Sequence, residues 1–182
     1  MLVLDLPLAG LRLLKPRVIG DVRGFFIETY SQRRYREAGI ECTFVQDNHS
    51  RSKRGTLRGL HYQSSPGQAK LIRVASGSTF DVAVDIRPES PTFGQWYSAT
   101  LDDEEHAQLF IPVGFAHGFC VTSEVADVVY KVSNVYDAKT EKGLCWNDPD
   151  IGVKWPVAAP LLSAADQQAE SFAEFAKRVR GR

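Results

Sequence analysis

Two of the four histidines lie in segments that could bring an imidazole to a working surface. His61 sits in GTLRGLHYQ and His117 in IPVGFAHGF. A neutral imidazole is a usable base near pH 7. Lys70 could hold negative charge that develops on an oxygen. Tyr130 could deliver a proton from another strand. Asp166 could fix the tautomer and orientation of His61, as a carboxylate does in other histidine-based sites. Together these groups fit removal of a proton next to a carbonyl, an enolate intermediate and reprotonation. That is epimerase or isomerase chemistry, and it needs no cofactor. Each residue also has a structural reading. Lys70 could be a solvated strand residue, and Tyr130 a core aromatic with its hydroxyl paired. Asp166 stands three residues after Ser163 at capping-box spacing. Asp81 and Asp85 could pair with Arg73 or Arg87.

The elements that must position these groups read mostly as short strands. Fourteen Gly and nine Pro punctuate the chain, as in a sandwich or barrel. In residues 79–86, Phe80, Val82, Val84 and Ile86 alternate with Thr79, Asp81, Ala83 and Asp85, which predicts a strand with one core face and one wet or functional face. Residues 69–75 form a second expected strand, joined to the first through Ser76-Gly77-Ser78 as a hairpin. Residues 125–135 form a third, with Val128, Tyr130 and Val132 on one face. Helical signals are a short segment at 31–39, capped by Ser31 and stopped by Gly39, and a C-terminal helix over about 163–180 opened by Ser163 and Asp166. Arg58 and His61 have opposite parity, so both face one cavity only if Gly59 breaks the pleat.

A glycine-rich segment with a His, followed by P-x-G-x-x-H, resembles the pattern of a small jelly-roll barrel of the cupin type. Metal-binding cupins supply H-x-H and a Glu from the first motif and one more His from the second. The matching positions here are His61, Gln63, Lys70 and His117. An ammonium in place of a carboxylate opposes a divalent cation, and two imidazoles alone rarely hold one tightly. The expectation is a site without metal.

The whole-chain quantities set bounds. With 182 residues, the expected organisation is one domain, a cupin-like core over about 16–160 followed by the C-terminal helix. Lys+Arg and Asp+Glu are 22 each, which argues against a nucleic-acid footprint or a membrane-surface field. Cys42, Cys120 and Cys145 are odd in number and widely spaced, so a disulfide scaffold is not expected. The apolar N-terminus lacks a basic leader and contains Asp5, and no run is long enough to span a bilayer. The expectation is a cytoplasmic protein.

The motifs then resemble, in order, those of the dTDP-4-dehydrorhamnose 3,5-epimerase family of cupin-fold enzymes. They are DVRGFFIETY from Asp21, QDNHSRS from Gln46, LRGLHYQ from Leu57, QAKLIRV from Gln68, DVAVDIR from Asp81, SPTFGQW from Ser90, IPVGFAHGF from Ile111, YKVSNVY from Tyr130 and WNDP from Trp146. One such block would be weak; the full ordered series is specific.

The resemblance implies epimerisation of dTDP-4-dehydro-6-deoxy-D-glucose at C3 and C5 in dTDP-L-rhamnose biosynthesis, without a cofactor. It implies that His61 is the base, Asp166 its dyad carboxylate, Tyr130 the acid on the opposite ring face, and Lys70 the cation near the C4 oxygen. It implies substrate contacts from Arg58, His117 and Glu141, thymine stacking on Tyr136, and nucleotide-side contacts from Arg23, Glu28, Gln46, Asp47 and Asn48. It further implies a homodimer with exchanged N-terminal strands, in which Arg23 and Glu28 reach a neighbouring subunit's site. Ala165 departs from the family, which usually has Lys before the dyad Asp. The alternatives are an enzyme inverting one centre or moving the keto group, a metal-dependent cupin enzyme, and a non-catalytic sugar-nucleotide binding module.

Overall fold

The structure is a computed structural model and describes residues 1–181. The strands are β1 (Leu2–Asp5), β2 (Arg12–Lys15), β3 (Val18–Asp21), β4 (Gly24–Ile27), β5 (Gln46–Lys53), β6 (Leu57–Gln63), β7 (Lys70–Ser76), β8 (Ser78–Asp85), β9 (Trp96–Asp102), β10 (Gln108–Ile111), β11 (Phe115–Val121), β12 (Val125–Val132) and β13 (Glu141–Gly143). The helices are α1 (Gln32–Glu37), α2 (Ala164–Gln167) and α3 (Phe172–Arg180). A six-stranded sheet runs β1-β2-β10-β7-β12-β5 and a five-stranded sheet β13-β6-β11-β8-β9; β3 and β4 form a separate ribbon. The six-stranded sheet thus includes β1 and β2, which precede the boundary expected near residue 16. This mainly β arrangement of two sheets is the cupin-type fold class expected from the motifs.

The core has three parts. Ile72, Val74, Ala83, Leu109, Phe115, Phe119 and Val128 form the largest, from strands of both sheets. The outer face of the five-stranded sheet is covered by the C-terminal segment, where Leu60, Val82, Val84 and Ala116 meet Phe172 and Phe175. On the six-stranded sheet, Leu14, Leu71 and Phe110 pack with Tyr35 of α1 and Ile40. Sequence alternation on β8 is therefore real, but neither face is wet. Thr79, Asp81 and Asp85 are all 0% exposed.

Several expectations are corrected. Ser76-Gly77-Ser78 is not a hairpin: β7 and β8 lie in different sheets, and Gly77 turns the chain from one to the other. Its φ is +81°, and a Cβ there would stand 2.1 Å from the Val125 carbonyl oxygen. Ser31 occupies the N-cap of α1, but its side chain makes no cap hydrogen bond. The strand expected to reach residue 135 ends at Val132. The single C-terminal helix is two. Between them, Cys145 N–H donates to the Glu170 carbonyl at 2.8 Å, and this short bridge diverts the chain. Ser171 and Glu174 then start α3 with a complete capping box.

Of the two aspartates on β8, Asp85 takes the expected partner: Arg87 Nε and Nη2 donate to its two oxygens at 2.9 and 2.6 Å. Among the described residues, Asp81 does not pair with an arginine. It accepts from His117 Nε2 at 2.9 Å: His117 stands opposite Ala83, and Asp81 is the diagonal neighbour two residues away on the same face of β8.

Candidate active site

A cavity of about 400 Å³ opens beside β5, β6, β7, β11, β12 and β13, lined by residues from each. Its chemistry-bearing walls are Arg58, His61, Lys70, His117, Tyr130 and Glu141. A larger cavity of about 520 Å³, against α3, contains none of these.

Arg58 and His61 share the cavity because β6 bulges. His117 is opposite His61, yet Phe119, two residues on, is opposite Arg58, three residues back. The extra residue reverses the parity between the two side chains. Gly59 makes this possible with a φ of +129°, and a Cβ there would stand 2.4 Å from Gly118 Cα and 2.8 Å from the His117 carbonyl oxygen. Two backbones meet where only hydrogens fit.

His61 Nε2 and Asp166 Oδ1 are 2.5 Å apart. Asp166 is 4% exposed and rides on α2, whose start is fixed when Ser163 Oγ accepts from the Asp166 N–H. Ser163 Oγ also donates to Asp166 Oδ2 at 2.8 Å. The capping and dyad readings of Asp166 therefore coexist. Burial pushes the Asp166 carboxyl up, but the hydrogen bonds from His61 and Ser163 outweigh it and hold the group below its usual value. An ionised carboxylate only accepts, so the shared proton lies on His61 Nε2, and in the neutral ring Nδ1 is the lone-pair nitrogen.

Lys70 is buried. Burial lowers its ammonium to about 8, while Glu141 and Asp81 favour the charged form. Its Nζ has one long hydrogen bond, 3.4 Å to the His61 carbonyl oxygen. A cation so sparsely paired is available to a developing oxyanion. Burial, and secondarily the Glu141 carboxylate, raise the Tyr130 phenol, which is therefore protonated at neutral pH. Arg58 donates from Nε to Ser52 Oγ at 3.1 Å, which leaves its terminal nitrogens for a ligand.

Gln63, at a ligand position of metal-binding cupins, donates to the Val135 carbonyl oxygen at 3.1 Å and accepts from Gln68 at 3.0 Å. Among the described residues, no cluster of three or more His, Cys, Asp or Glu is arranged to hold a metal ion.

The family model described as dTDP-4-dehydrorhamnose 3,5-epimerase matches residues 5–174. The chain belongs to the dTDP-4-dehydrorhamnose 3,5-epimerase family. It is 53% identical over 164 residues to a dTDP-4-dehydrorhamnose 3,5-epimerase from Pseudomonas aeruginosa, an alignment covering 89% of this chain and 91% of that protein. It is 51% identical over 176 residues to the enzyme of that name from Neisseria gonorrhoeae, covering 96% of this chain and 54% of the relative. The chain thus spans about half the length of that relative. The crystal structure of a dTDP-6-deoxy-D-glucose-3,5-epimerase from Legionella pneumophila in complex with dTDP-4-keto-L-rhamnose superposes with a TM-score of 0.91 at 45% identity, covering 95% of each chain.

In this member of the epimerase family, most of the positions inferred from sequence converge. Gln46, Asn48 and Tyr136 line the same cavity as the groups above, and Asp166 stands behind His61. Three positions lie elsewhere. Strand alternation turns Asp47 to the other face of β5, where Lys131 Nζ lies 2.5 Å from it. Arg23, in the turn of the β3–β4 ribbon, pairs with Asp21, and Glu28 pairs with Arg34 at 3.0 Å. Sequence reasoning missed Ser50, Gln68 and Phe119 on the cavity wall. The signal for Ser50 was its position two residues after Asn48 on one strand face.

Proposed function

We propose that the protein is a cofactor-independent isomerase that inverts C3 and C5 of dTDP-4-dehydro-6-deoxy-D-glucose, giving dTDP-4-dehydro-L-rhamnose. The observation that carries this reading is the assembly of one cavity from an oriented imidazole with a free Nδ1, a protonated phenol and a buried ammonium. His61 Nδ1 removes the proton next to the C4 ketone. The electron pair moves onto the C4 oxygen, and Lys70 stabilises that enolate. Losing a single oxyanion donor costs about 2.7–4 kcal/mol in well-studied enzymes, so this cation is a major part of the proposal. Tyr130 returns a proton to the carbon from the opposite face, and the configuration inverts. Solvent then takes the proton from His61 and reprotonates the Tyr130 phenolate, and a second cycle treats the other carbon. Arg58 binds the diphosphate through its planar fork, and Tyr136 stacks on the thymine.

The working form in this proposal is a homodimer of single-domain chains acting in the cytoplasm. The β3–β4 ribbon supports the dimer: Ile19, Phe25 and Phe26 are exposed, and Arg23 and Glu28 do not line their own chain's cavity. Exchange of this ribbon would bring them to the neighbouring site. Mixing His61→Ala with Arg23→Ala chains, after dissociation and reassociation, should restore activity that neither has alone. Mixtures that stay inactive would refute the exchange. The three unpaired cysteines suit a reducing compartment.

The reaction is tested with dTDP-4-keto-6-deoxyglucose in deuterated water. Deuterium at both C3 and C5 of the product is expected. Label at one carbon would make the protein a single-centre epimerase, and no label with intact binding would make it a binding module.

A further inference from the structure

We propose that Asp81 is a positioning residue for this site, holding His117 in the Nε2–H tautomer so that its Nδ1 meets a hydroxyl of the bound hexose as an acceptor. The inference rests on the epimerase reading for the identity of the ligand.

Asp81 lies on β8 and His117 on neighbouring β11, with Asp81 opposite Phe119 and His117 opposite Ala83. The carboxylate accepts from His117 Nε2 at 2.9 Å, and both groups are buried. Among the described residues no donor reaches Asp81 Oδ2, which is itself buried. A buried carboxylate with one oxygen left without a hydrogen-bond donor is an unfavourable way to fill a core position, and the Lys70 charge offsets that only through space, without a hydrogen bond. An apolar residue on this face of β8 would serve packing better. What Asp81 supplies that an apolar residue cannot is an acceptor of fixed polarity. An ionised carboxylate never donates, so the proton between the two groups belongs to Nε2. Burial lowers the His117 imidazolium, so the ring is neutral and Nδ1 bears a lone pair. His117 lines the sugar cavity, and no hydrogen bond within the described residues engages its Nδ1.

The cavity then contains two imidazoles with the same polarity and different duties. His61, oriented by Asp166, stands at its rim and is about a third exposed; His117, oriented by Asp81, is buried deeper. The first takes protons from carbon, and the second receives a hydrogen bond from a hydroxyl. A deoxy substrate lacking that hydroxyl would leave Nδ1 unpaired, which is how such a group discriminates.

Asp81→Asn tests the assignment. An amide can present its NH2 to the ring, which lets His117 adopt the Nδ1–H tautomer. The expected result is a loss of at least tenfold in kcat/KM for the sugar nucleotide, with dTDP affinity within twofold of wild type. Unchanged kcat/KM in Asp81→Asn, alongside an active wild-type enzyme, would overturn the proposal while leaving the epimerase reading intact. An inactive wild type would instead count against that reading. Should Asp81→Asn fail to fold, the wild-type protein decides. Long-range 1H–15N correlation spectra, with His117 assigned by its absence in His117→Asn, should show a neutral ring protonated on Nε2. A ring protonated on Nδ1, or on both nitrogens, at neutral pH would refute the assignment.

Discussion

His61 and Asp166 are separated by 105 residues in sequence and by 2.5 Å in space. The first comes from a strand of the five-stranded sheet and the second from a one-turn helix capped by Ser163. Orientation of the base therefore depends on a local capping motif far along the chain.

Asp166→Asn should reduce kcat by about 10²–10⁴, the range over which an aligned general base contributes. Ser163→Ala should have a smaller effect of the same kind, with a stability loss of about 1 kcal/mol from the missing cap. Steady-state kinetics and urea unfolding separate the two. Full activity in Asp166→Asn would show that His61 needs no carboxylate.

Tyr130→Phe removes the phenolic proton and keeps the ring. Turnover should fall by about 10²–10⁴, the contribution of a positioned proton donor, while dTDP affinity stays within about twofold. Deuterium wash-in at one centre should suffer more than at the other. Equal loss of turnover and nucleotide binding would assign Tyr130 a structural role.

Lys70 makes the pH dependence specific. Its folded value, about 8, lies below the ordinary 10.5, so the cation is lost as pH rises through about 8. kcat/KM should fall on that alkaline limb, and the limb should be absent from the residual activity of Lys70→Met. The sign for stability is opposite. The unfolded chain binds this proton more tightly, so the buried ammonium costs the fold roughly 3 kcal/mol below pH 8, and that cost diminishes between about pH 8 and 10.5. Urea unfolding at pH 7 should find Lys70→Met more stable than wild type. A less stable Lys70→Met would contradict this account of the buried charge.

Gly59→Ala should disable the site without touching a reacting group. The added methyl would press into Gly118 Cα and the His117 carbonyl oxygen, and the positive φ adds strain. Loss of the bulge would turn Arg58 away from the cavity. A destabilised protein with weaker substrate binding is expected, measured by thermal unfolding and dTDP titration. Wild-type behaviour would mean that β6 and β11 can separate at no cost.

Local chemistry made much of this legible in sequence. Alternation marked β8 and β12, and the parity conflict between Arg58 and His61 correctly pointed to Gly59 as the place where the pleat breaks. Long-range partners were not legible. Gly77 reads as a hairpin turn because its neighbours have turn chemistry, yet which sheet each flanking strand joins depends on β10, β11 and β12. Asp81 looked like an arginine partner because nothing local reveals that β11 sets His117 diagonally across from it. The break before Ser171 was hidden because Ser163 and Asp166 offer a helix start upstream of the periodic Phe172 and Phe175, while the bridge from Glu170 to Leu144 is tertiary.

The late position of α2 has a consequence for biosynthesis. Strand after strand emerges from the ribosome with His61 already made, but the carboxylate that steadies it is translated 105 residues later. A nascent chain that stops short of Asp166 holds an unguided imidazole. Competence therefore waits for residue 166, and products that stop before it lack the paired acid–base machinery.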